Sequence, residues 1–205
     1  MINEITSTIV QLLVLSFIPF IVYVIKNKAV KGFFNYIGLI RSTPRANYLA
    51  ILLSLLLAGP LLALTFFSAE YKEIIIDPET VAGKIRLMGF GGEAIATIII
   101  VAVFKTSLTE EILFRGFIAK RLINVTNFQI GNILQAIIFG ILHVVIFVPI
   151  SRNILYLALI FLSPAIFAYF IVYLNEKVAD GSILPGWIAH GLANVLSYSA
   201  VAFLI

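Results

Sequence analysis

Cysteine is absent from the 205-residue sequence, which excludes disulfide bonds, thiolate nucleophiles and cysteine-ligated metal sites. Charged residues are also scarce, at 12% of the chain against about 25% in a typical soluble domain. Hydrophobic residues make up 61%, and the mean hydropathy is +1.10. This composition predicts a polytopic membrane protein and leaves no stretch long enough for a separate soluble domain.

Apolar runs that are long enough to cross a bilayer predict an all-α, polytopic membrane helix bundle of about six spans. We place the spans at residues 5–25, 48–68, 94–122, 128–148, 153–174 and 183–204. The basic segment after the first span has apolar residues at helical spacing, among them Phe34 and Ile37, which predicts a short amphipathic helix in the membrane interface. Residues 69–93 carry mixed charges and a turn signal, and we interpret them as a loop.

Basic residues are distributed unequally between the two sets of loops. One set contains Lys26, Lys28, Lys31, Arg41, Arg45, Lys120, Arg121 and Lys177. The other set contains Lys72, Lys84, Arg86 and Arg152. Because lysine and arginine concentrate in cytoplasmic loops, the first set is predicted to be cytoplasmic and both termini to lie outside. The net charge of +4 reflects these loops and does not indicate nucleic-acid binding.

The third predicted span contains three ionisable residues, Glu110, Glu111 and Arg115, in one otherwise apolar stretch. A charge at the centre of a bilayer costs about 3 kcal/mol or more, so such a residue is a functional hypothesis by default. Glu111 and Arg115 are four residues apart and share a helical face, where they can neutralise each other. Glu110 points about 100° away from Glu111 and is left to face a different helix.

Two further features of this span concern its local geometry. Lys105 is expected to snorkel or to line a cavity wall. The stretch Ser107-Leu108-Thr109-Glu110 matches a capping box, which predicts that the helix is broken near Thr106-Ser107 and restarts there. Such a break is tolerated at membrane depth where protein or a wet cavity satisfies the backbone.

The two histidines of the chain both lie in predicted spans, His143 in the fourth and His190 in the sixth. Asn194 follows His190 by one helical turn, so the two form one polar patch. A carboxylate with a neutral histidine nearby can activate water, and N–H groups of histidine and asparagine can stabilise an oxyanion. Glu110 with His143 and His190 with Asn194 therefore predict attack of water on an amide carbonyl, in a polar catalytic cavity between spans three, four and six.

Each of these residues also has a structural interpretation. A single histidine in a span is more often an interhelical hydrogen-bond partner, and a Glu–Arg pair at this spacing is commonly structural. The depths of Glu110, His143 and His190 also differ when they are counted from the predicted cytoplasmic ends. If the three residues meet, we expect the fourth span to begin later than Phe128 or the sixth to begin earlier than Ile183.

The spacing of these residues resembles three motifs of the CAAX-protease and bacteriocin-processing family, also called CPBP or Abi. The motifs are Glu110-Glu111-x-x-x-Arg115, Phe139-x-x-x-His143 and His190-x-x-x-Asn194, in order on three predicted spans. The resemblance extends from about Ala94 to the C-terminus. We therefore interpret residues 1–205 as one integral-membrane domain, in which 1–93 hold two N-terminal spans with their loops and 94–205 form the catalytic core.

The resemblance implies an intramembrane endopeptidase related to the type II CAAX prenyl endopeptidases. It assigns water activation to Glu110 and His143, the oxyanion site to His190 and Asn194, and support to Arg115 with Glu111. The implied partners are a membrane-proximal peptide or protein substrate and the lipid bilayer. A zinc site through Glu110, His143 and His190 remains open in principle, but the absence of an HExxH motif favours a metal-free, glutamic mechanism.

Short bacterial members of this family are linked to bacteriocin maturation or self-immunity, which suggests a multi-pass protein of the bacterial cytoplasmic membrane. Two other functions compete with proteolysis. The first is a non-enzymatic bacteriocin immunity or binding protein, for which the surface loops would matter and Glu110 would not. The second is an ion or proton carrier that uses the carboxylates as a relay, although the sequence lacks the two-halves repeat that is common in transporters.

Overall fold

The computed structural model describes residues 1–205, apart from the side chain of Leu57. The described residues form helices and connecting turns, with no strand among them. The helices are α1 (Ile2–Asn27), α2 (Phe33–Tyr36), α3 (Pro44–Phe67), α4 (Ala69–Ile76), α5 (Val81–Arg86), α6 (Gly92–Val125), α7 (Phe128–Phe147), α8 (Ile154–Val178) and α9 (Leu184–Phe203). The predicted all-α, polytopic bundle is confirmed.

Five helices are long and apolar enough to cross a membrane, namely α1, α3, α6, α7 and α8. The predicted sixth span, α9, has 20 residues but is less apolar because it carries His190 and Asn194. It nevertheless runs from one end of the bundle to the other. Next to its first turn, the Ile183 N–H donates to the Gly38 carbonyl at 2.8 Å, and at its last turn the Phe203 ring lies 5.1 Å from Phe90.

Met1 lies at the same end of the bundle as Phe203, because its amino group is 2.9 Å from Glu93 at the start of α6. The opposite end carries the basic segment between α1 and α3. There the Ser182 hydroxyl donates to the Ile40 carbonyl at 2.7 Å, and Lys120 pairs with Glu176. Both termini are therefore on one side, while the assignment of that side to the exterior stays a prediction from the basic loops.

Side-chain caps determine where the later helices begin. The Asn127 side chain accepts a hydrogen bond from the Ile130 N–H at 3.0 Å at the start of α7, and Asn153 caps α8 in the same way. α9 begins at Leu184 with a proline in its first turn. The expected shift of the α7 or α9 boundary is therefore wrong. Glu110 and His190 meet with both boundaries close to the predicted positions.

The interpretation of residues 69–93 as a loop is wrong for most of its length. Ser68 and Thr80 cap two short helices, α4 and α5, because each hydroxyl accepts a hydrogen bond from a backbone N–H three residues on. Tyr71 and Ile74 of α4 pack against Ile160 of α8 and close one end of the bundle. Charged residues are interspersed with the apolar residues of this segment. It therefore lacks a long apolar run from which its helices could have been predicted.

The predicted interfacial helix is reduced to the four residues of α2. Phe34 is exposed as expected, but Ile37 is 1% exposed and packs with Ile112 and Ile183 inside the bundle. Gly38 ends the segment with φ of 73°, a conformation that glycine adopts readily. The turn at Gly38 directs this segment into the protein, and it does not lie as a whole in the lipid interface.

The predicted break near Thr106-Ser107 is also wrong, because α6 is continuous from Gly92 to Val125. It instead changes its winding, with π-helical segments at Ile100–Leu108 and Glu111–Ala119. The Thr106 and Ser107 hydroxyls donate to backbone carbonyls of the preceding turn, at 3.0 and 2.6 Å, and so satisfy acceptors of the widened helix. π-Helical turns occur frequently at functional sites, and these two flank Glu110.

Candidate active site

The predicted site residues line one cavity of about 390 Å³ inside the bundle. Glu110, His143, His190 and Asn194 lie together in its wall. The cavity is lined by α6, α7 and α9, as predicted, and also by residues of α3, α4, α5 and α8. Most of the remaining lining is apolar, with further polar side chains at Thr65, Glu79, Thr80, Ser163 and Ser197.

Glu111 and Arg115 lie behind the cavity wall and are 0% and 1% exposed. The Arg115 Nη1 atom is 3.3 Å from Glu111 Oε1, and its guanidinium stacks over the Phe139 ring with 4.2 Å to the centroid. The structure therefore contains the pair that the spacing predicted. Removing one member of such a buried pair leaves an uncompensated charge, which is strongly destabilising.

His190 contacts both glutamates. Its Nδ1 lies 3.1 Å from Glu111 Oε1, and its Nε2 lies 3.8 Å from Glu110 Oε2. Because an ionised carboxylate can only accept, Nδ1 carries the proton toward Glu111 and Nε2 faces Glu110. The nearer partner of His190 is thus Glu111, whereas the sequence had pointed to Glu110.

The orientation of His143 is fixed by its own helix. Its Nδ1 lies 2.9 Å from the Phe139 carbonyl, which can only accept, so Nδ1 is the donor. In the neutral ring, Nε2 then keeps its lone pair for the cavity. The charge of Glu110 acts on this ring, and the buried Oε2 atom of Glu110 makes no hydrogen bond with any described residue.

Asn194 is tied to the π-helical segment of α6. Its Nδ2 atom donates to the Thr106 hydroxyl at 3.0 Å and to the Ser107 hydroxyl at 3.2 Å. Both hydroxyls already donate their single proton to backbone carbonyls, so they can only accept from Asn194. This fixes the amide orientation and uses both of its N–H groups. The predicted oxyanion role of Asn194 therefore requires it to release one of these two bonds.

Two residues missed in the sequence analysis lie against Glu111. A Cβ added at Gly186 would be 2.4 Å from Glu111 Oε2 and 2.7 Å from Asn175 Nδ2. The Gly186 N–H donates to Asn175 Oδ1 at 2.9 Å, and Asn175 is 1% exposed. The fifth predicted span ends at residue 174, so Asn175 falls in the predicted link to the sixth span. The glycine four residues before His190, on the same helical face, was the available signal.

Two tyrosines also belong to the cavity wall, Tyr71 on α4 and Tyr198 on α9. Burial raises the pKa of Tyr71 to about 12, so it stays neutral near neutral pH. Tyr198 follows Asn194 by four residues, which was a signal that the polar face of α9 continues beyond the asparagine. The groups that act on its hydroxyl include Glu110 and Thr106.

Lys105, expected to snorkel or line the cavity, instead pairs with Glu4 of α1 at 2.8 Å. The zinc alternative can be tested on the arrangement of the donors. No group of three or more histidine, aspartate or glutamate side chains is placed to hold a metal ion within the described part of the chain. The Nδ1 atom of His190 is directed at Glu111, and its Nε2 atom faces Glu110 at 3.8 Å.

A comparison with protein-family models identifies the relationship. The family described as Type II CAAX prenyl endopeptidase Rce1-like matches residues 92–196, a range that includes Glu110, His143, His190 and Asn194. The chain belongs to this family. The resemblance inferred from the three motifs is thus confirmed, and the chain is a multi-pass membrane protein of a protease family. Neither the curated proteins nor the solved structures that were searched contain a match.

Proposed function

We propose that this family member is an intramembrane endopeptidase in which Glu110 and His143 activate a water molecule. The observation that carries the proposal is the unpartnered Oε2 atom of Glu110, which is buried beside the cavity that His143 and His190 also line. The Glu110 side chain is 26% exposed and lines the cavity, so its carboxylate can accept a proton from a water molecule there. Membership in a protease family supports hydrolysis of a peptide bond over proton transport.

In the proposed step, the water oxygen attacks the peptide carbonyl carbon while Glu110 accepts the departing proton. The π electrons of the carbonyl move to its oxygen and form an oxyanion. When the tetrahedral intermediate collapses, the C–N bond breaks and Glu110 returns the proton to the leaving nitrogen. The Nε2 lone pair of His143 accepts a hydrogen bond from the second hydrogen of the water and orients it.

The buried charges behind the wall hold this arrangement in place. Arg115 neutralises Glu111, and Glu111 accepts the Nδ1 proton of His190. The His190 ring is thereby aimed at Glu110, between the rings of Phe139 and Phe167. Glu110 is the reacting carboxylate in this scheme, whereas Glu111 has a supporting role.

The cavity favours an apolar peptide segment as the substrate. Its walls carry Leu61 and Leu62 of α3, Ile146 and Phe147 of α7, and Ile160 of α8. Such walls accept apolar side chains, while Glu110 and His143 address the backbone amide. As the physiological role we propose processing of a membrane-active peptide, in bacteriocin maturation or self-immunity, in line with the short bacterial proteins that the sequence resembles.

The test uses purified protein in liposomes with a panel of peptides that carry an apolar segment between a fluorophore and a quencher. Cleavage by the wild type is compared with Glu110→Gln and with Glu73→Gln, a control at an exposed glutamate of α4. We expect Glu110→Gln to lower the rate by about 10²–10⁴-fold, the usual contribution of a general base, and the control to match the wild type. A chelator arm addresses metal dependence. Full activity of Glu110→Gln, or cleavage of no peptide by the wild type, would contradict the proposal.

A further inference from the structure

The oxyanion formed in the proposed reaction needs a hydrogen-bond donor, and the two residues that the motifs offer for it are engaged elsewhere. Both N–H groups of Asn194 are bonded to the hydroxyls of Thr106 and Ser107. Both ring nitrogens of His190 are directed at carboxylates, Nδ1 at Glu111 at 3.1 Å and Nε2 at Glu110 at 3.8 Å. In this arrangement of α6 and α9, neither His190 nor Asn194 has an N–H group that is free to donate to the oxyanion.

Tyr198 supplies such a donor from the same face of α9. The spacing from His190 through Asn194 to Tyr198 is four and then four residues, which places all three along one side of the helix. All three line the cavity that contains Glu110 and His143. The Tyr198 side chain is partly buried, and its hydroxyl lies in the electrostatic reach of Glu110.

The two hydroxyls that hold Asn194 have their protons committed. The Thr106 hydroxyl donates to the Val101 carbonyl, and the Ser107 hydroxyl donates to the Ala102 carbonyl. The Tyr198 hydroxyl has a side-chain hydrogen bond with Thr106, and because the Thr106 proton goes to the Val101 carbonyl, Tyr198 is the donor. Thr106 also accepts from Asn194, so it keeps a partner when the phenol turns away. An oxyanion is a stronger acceptor than a neutral hydroxyl, so a substrate oxygen in the cavity can take over the Tyr198 proton.

We propose that Tyr198 is a catalytic residue of this protein, whose phenol donates a hydrogen bond to the carbonyl oxygen as it becomes the oxyanion. Asn194 then acts as a positioning residue that fixes α9 to the π-helical segment of α6, so that Glu110 and Tyr198 face the same substrate group. This inference rests on the proposed peptidase function. The proposed donor, Tyr198, lies on α9 one turn after Asn194, the last residue of the three motifs.

The phenol is suited to this task because its proton is retained at neutral pH and its position is fixed by the ring. A preorganised donor in a water-poor site stabilises developing charge far more than it stabilises the neutral carbonyl of the substrate. The interaction therefore strengthens as the C–O bond of the intermediate forms and weakens when the C–N bond breaks. No proton leaves Tyr198 in this cycle, and Glu110 alone transfers the proton from water to the leaving amine.

The test compares Tyr198→Phe with the wild type on the peptide that the wild type cleaves best, and Tyr173→Phe serves as the matched control. Tyr173 is an exposed tyrosine of α8 outside the cavity. We expect Tyr198→Phe to lower kcat about 10²-fold with KM changed less than about threefold, because the lost bond forms only in the transition state. Asn194→Ala should instead lower the thermal midpoint of the protein in detergent. Unchanged kcat in Tyr198→Phe overturns the inference and leaves the peptidase proposal standing.

A second measurement covers the case in which Tyr198→Phe does not fold. Replacement of Tyr198 by 3,5-difluorotyrosine keeps the ring and the hydroxyl but makes the phenol more acidic. The alkaline limb of the kcat–pH profile should then move to lower pH, since the ionised phenol cannot donate. A profile that stays in place assigns Tyr198 a purely structural role. If the wild type cleaves no peptide at all, both the peptidase function and this inference fall.

Discussion

The N-terminal helices and the helices from α6 onward use polar residues in opposite ways. In α1, 17% of the most apolar window is buried, against 39% in α6. The polar links of α1 to α6 are partly exposed, as in the pair of Glu4 with Lys105, whereas Glu111 and Arg115 are inaccessible. The family match begins at Gly92, the first residue of α6. The contrast between α1 and α6 agrees with the proposal that α1 supports a site whose chemistry resides in the later helices.

The strongest test of this contrast is His143→Ala. Its Nε2 atom is directed to the cavity, and loss of the ring removes a partner of the attacking water. We expect kcat to fall by about 10²–10⁴-fold, while the thermal midpoint in detergent changes little because the ring is only partly buried. Peptide cleavage and thermal unfolding of the same preparation check the result. Wild-type kcat in this variant would remove His143 from the mechanism.

Arg115→Met addresses stability in the core. The substitution leaves Glu111 buried with His190 as its remaining polar partner, and breaking a buried ion pair costs about 3–5 kcal/mol. We expect a much lower thermal midpoint and little folded protein in the membrane. The double variant Glu111→Gln/Arg115→Met removes both charges and should recover part of the lost stability. Equal stability of the single variant and the wild type would show that the buried pair is dispensable.

Two glycines of α9 give a finer comparison. In Gly186→Ala the new methyl group lies 2.4 Å from Glu111 Oε2, whereas in Gly191→Ala its nearest neighbour is Val103 at 3.8 Å. Overpacking of a filled site costs about 1–3 kcal/mol, so Gly186→Ala should displace Glu111 and reduce activity about tenfold or more. Gly191→Ala should behave as the wild type in the same cleavage assay. Similar rates for the two variants would mean that Glu111 moves without consequence.

The smallest effect is expected for Glu4→Gln, which breaks the link of α1 to Lys105. Both side chains are partly exposed, and pairs of this kind contribute about 0–1 kcal/mol. The variant should keep its cleavage rate and lose at most a few degrees in the thermal midpoint. A loss of activity comparable to that of His143→Ala would show that α1 takes part in the site, and the contrast between the two regions would break down.

The spans and the pair of Glu111 with Arg115 could be predicted because both depend on spacing along a single helix. The helices α4 and α5 could not, since their apolar faces are short and interrupted by charges. The π-helical segments of α6 could not be predicted either. In the sequence Thr106 and Ser107 resemble a helix cap, and only the structure shows that their hydroxyls donate to carbonyls of the same helix. Asn175 and Gly186 lie against Glu111 in the folded protein but are far from it along the chain. No local sequence pattern therefore connects either residue with Glu111.

The pairing of charges in α6 also bears on how this helix enters the membrane during synthesis. Lys105 meets Glu4 of the already translated α1, and Arg115 meets Glu111 within α6 itself. Three charges of α6, those of Lys105, Glu111 and Arg115, can therefore be compensated before α7, α8 and α9 are synthesised. Glu110 is approached by His190, which is synthesised later as part of α9. The carboxylate to which we assign the chemistry is thus also the one that enters the bilayer before its partner is made.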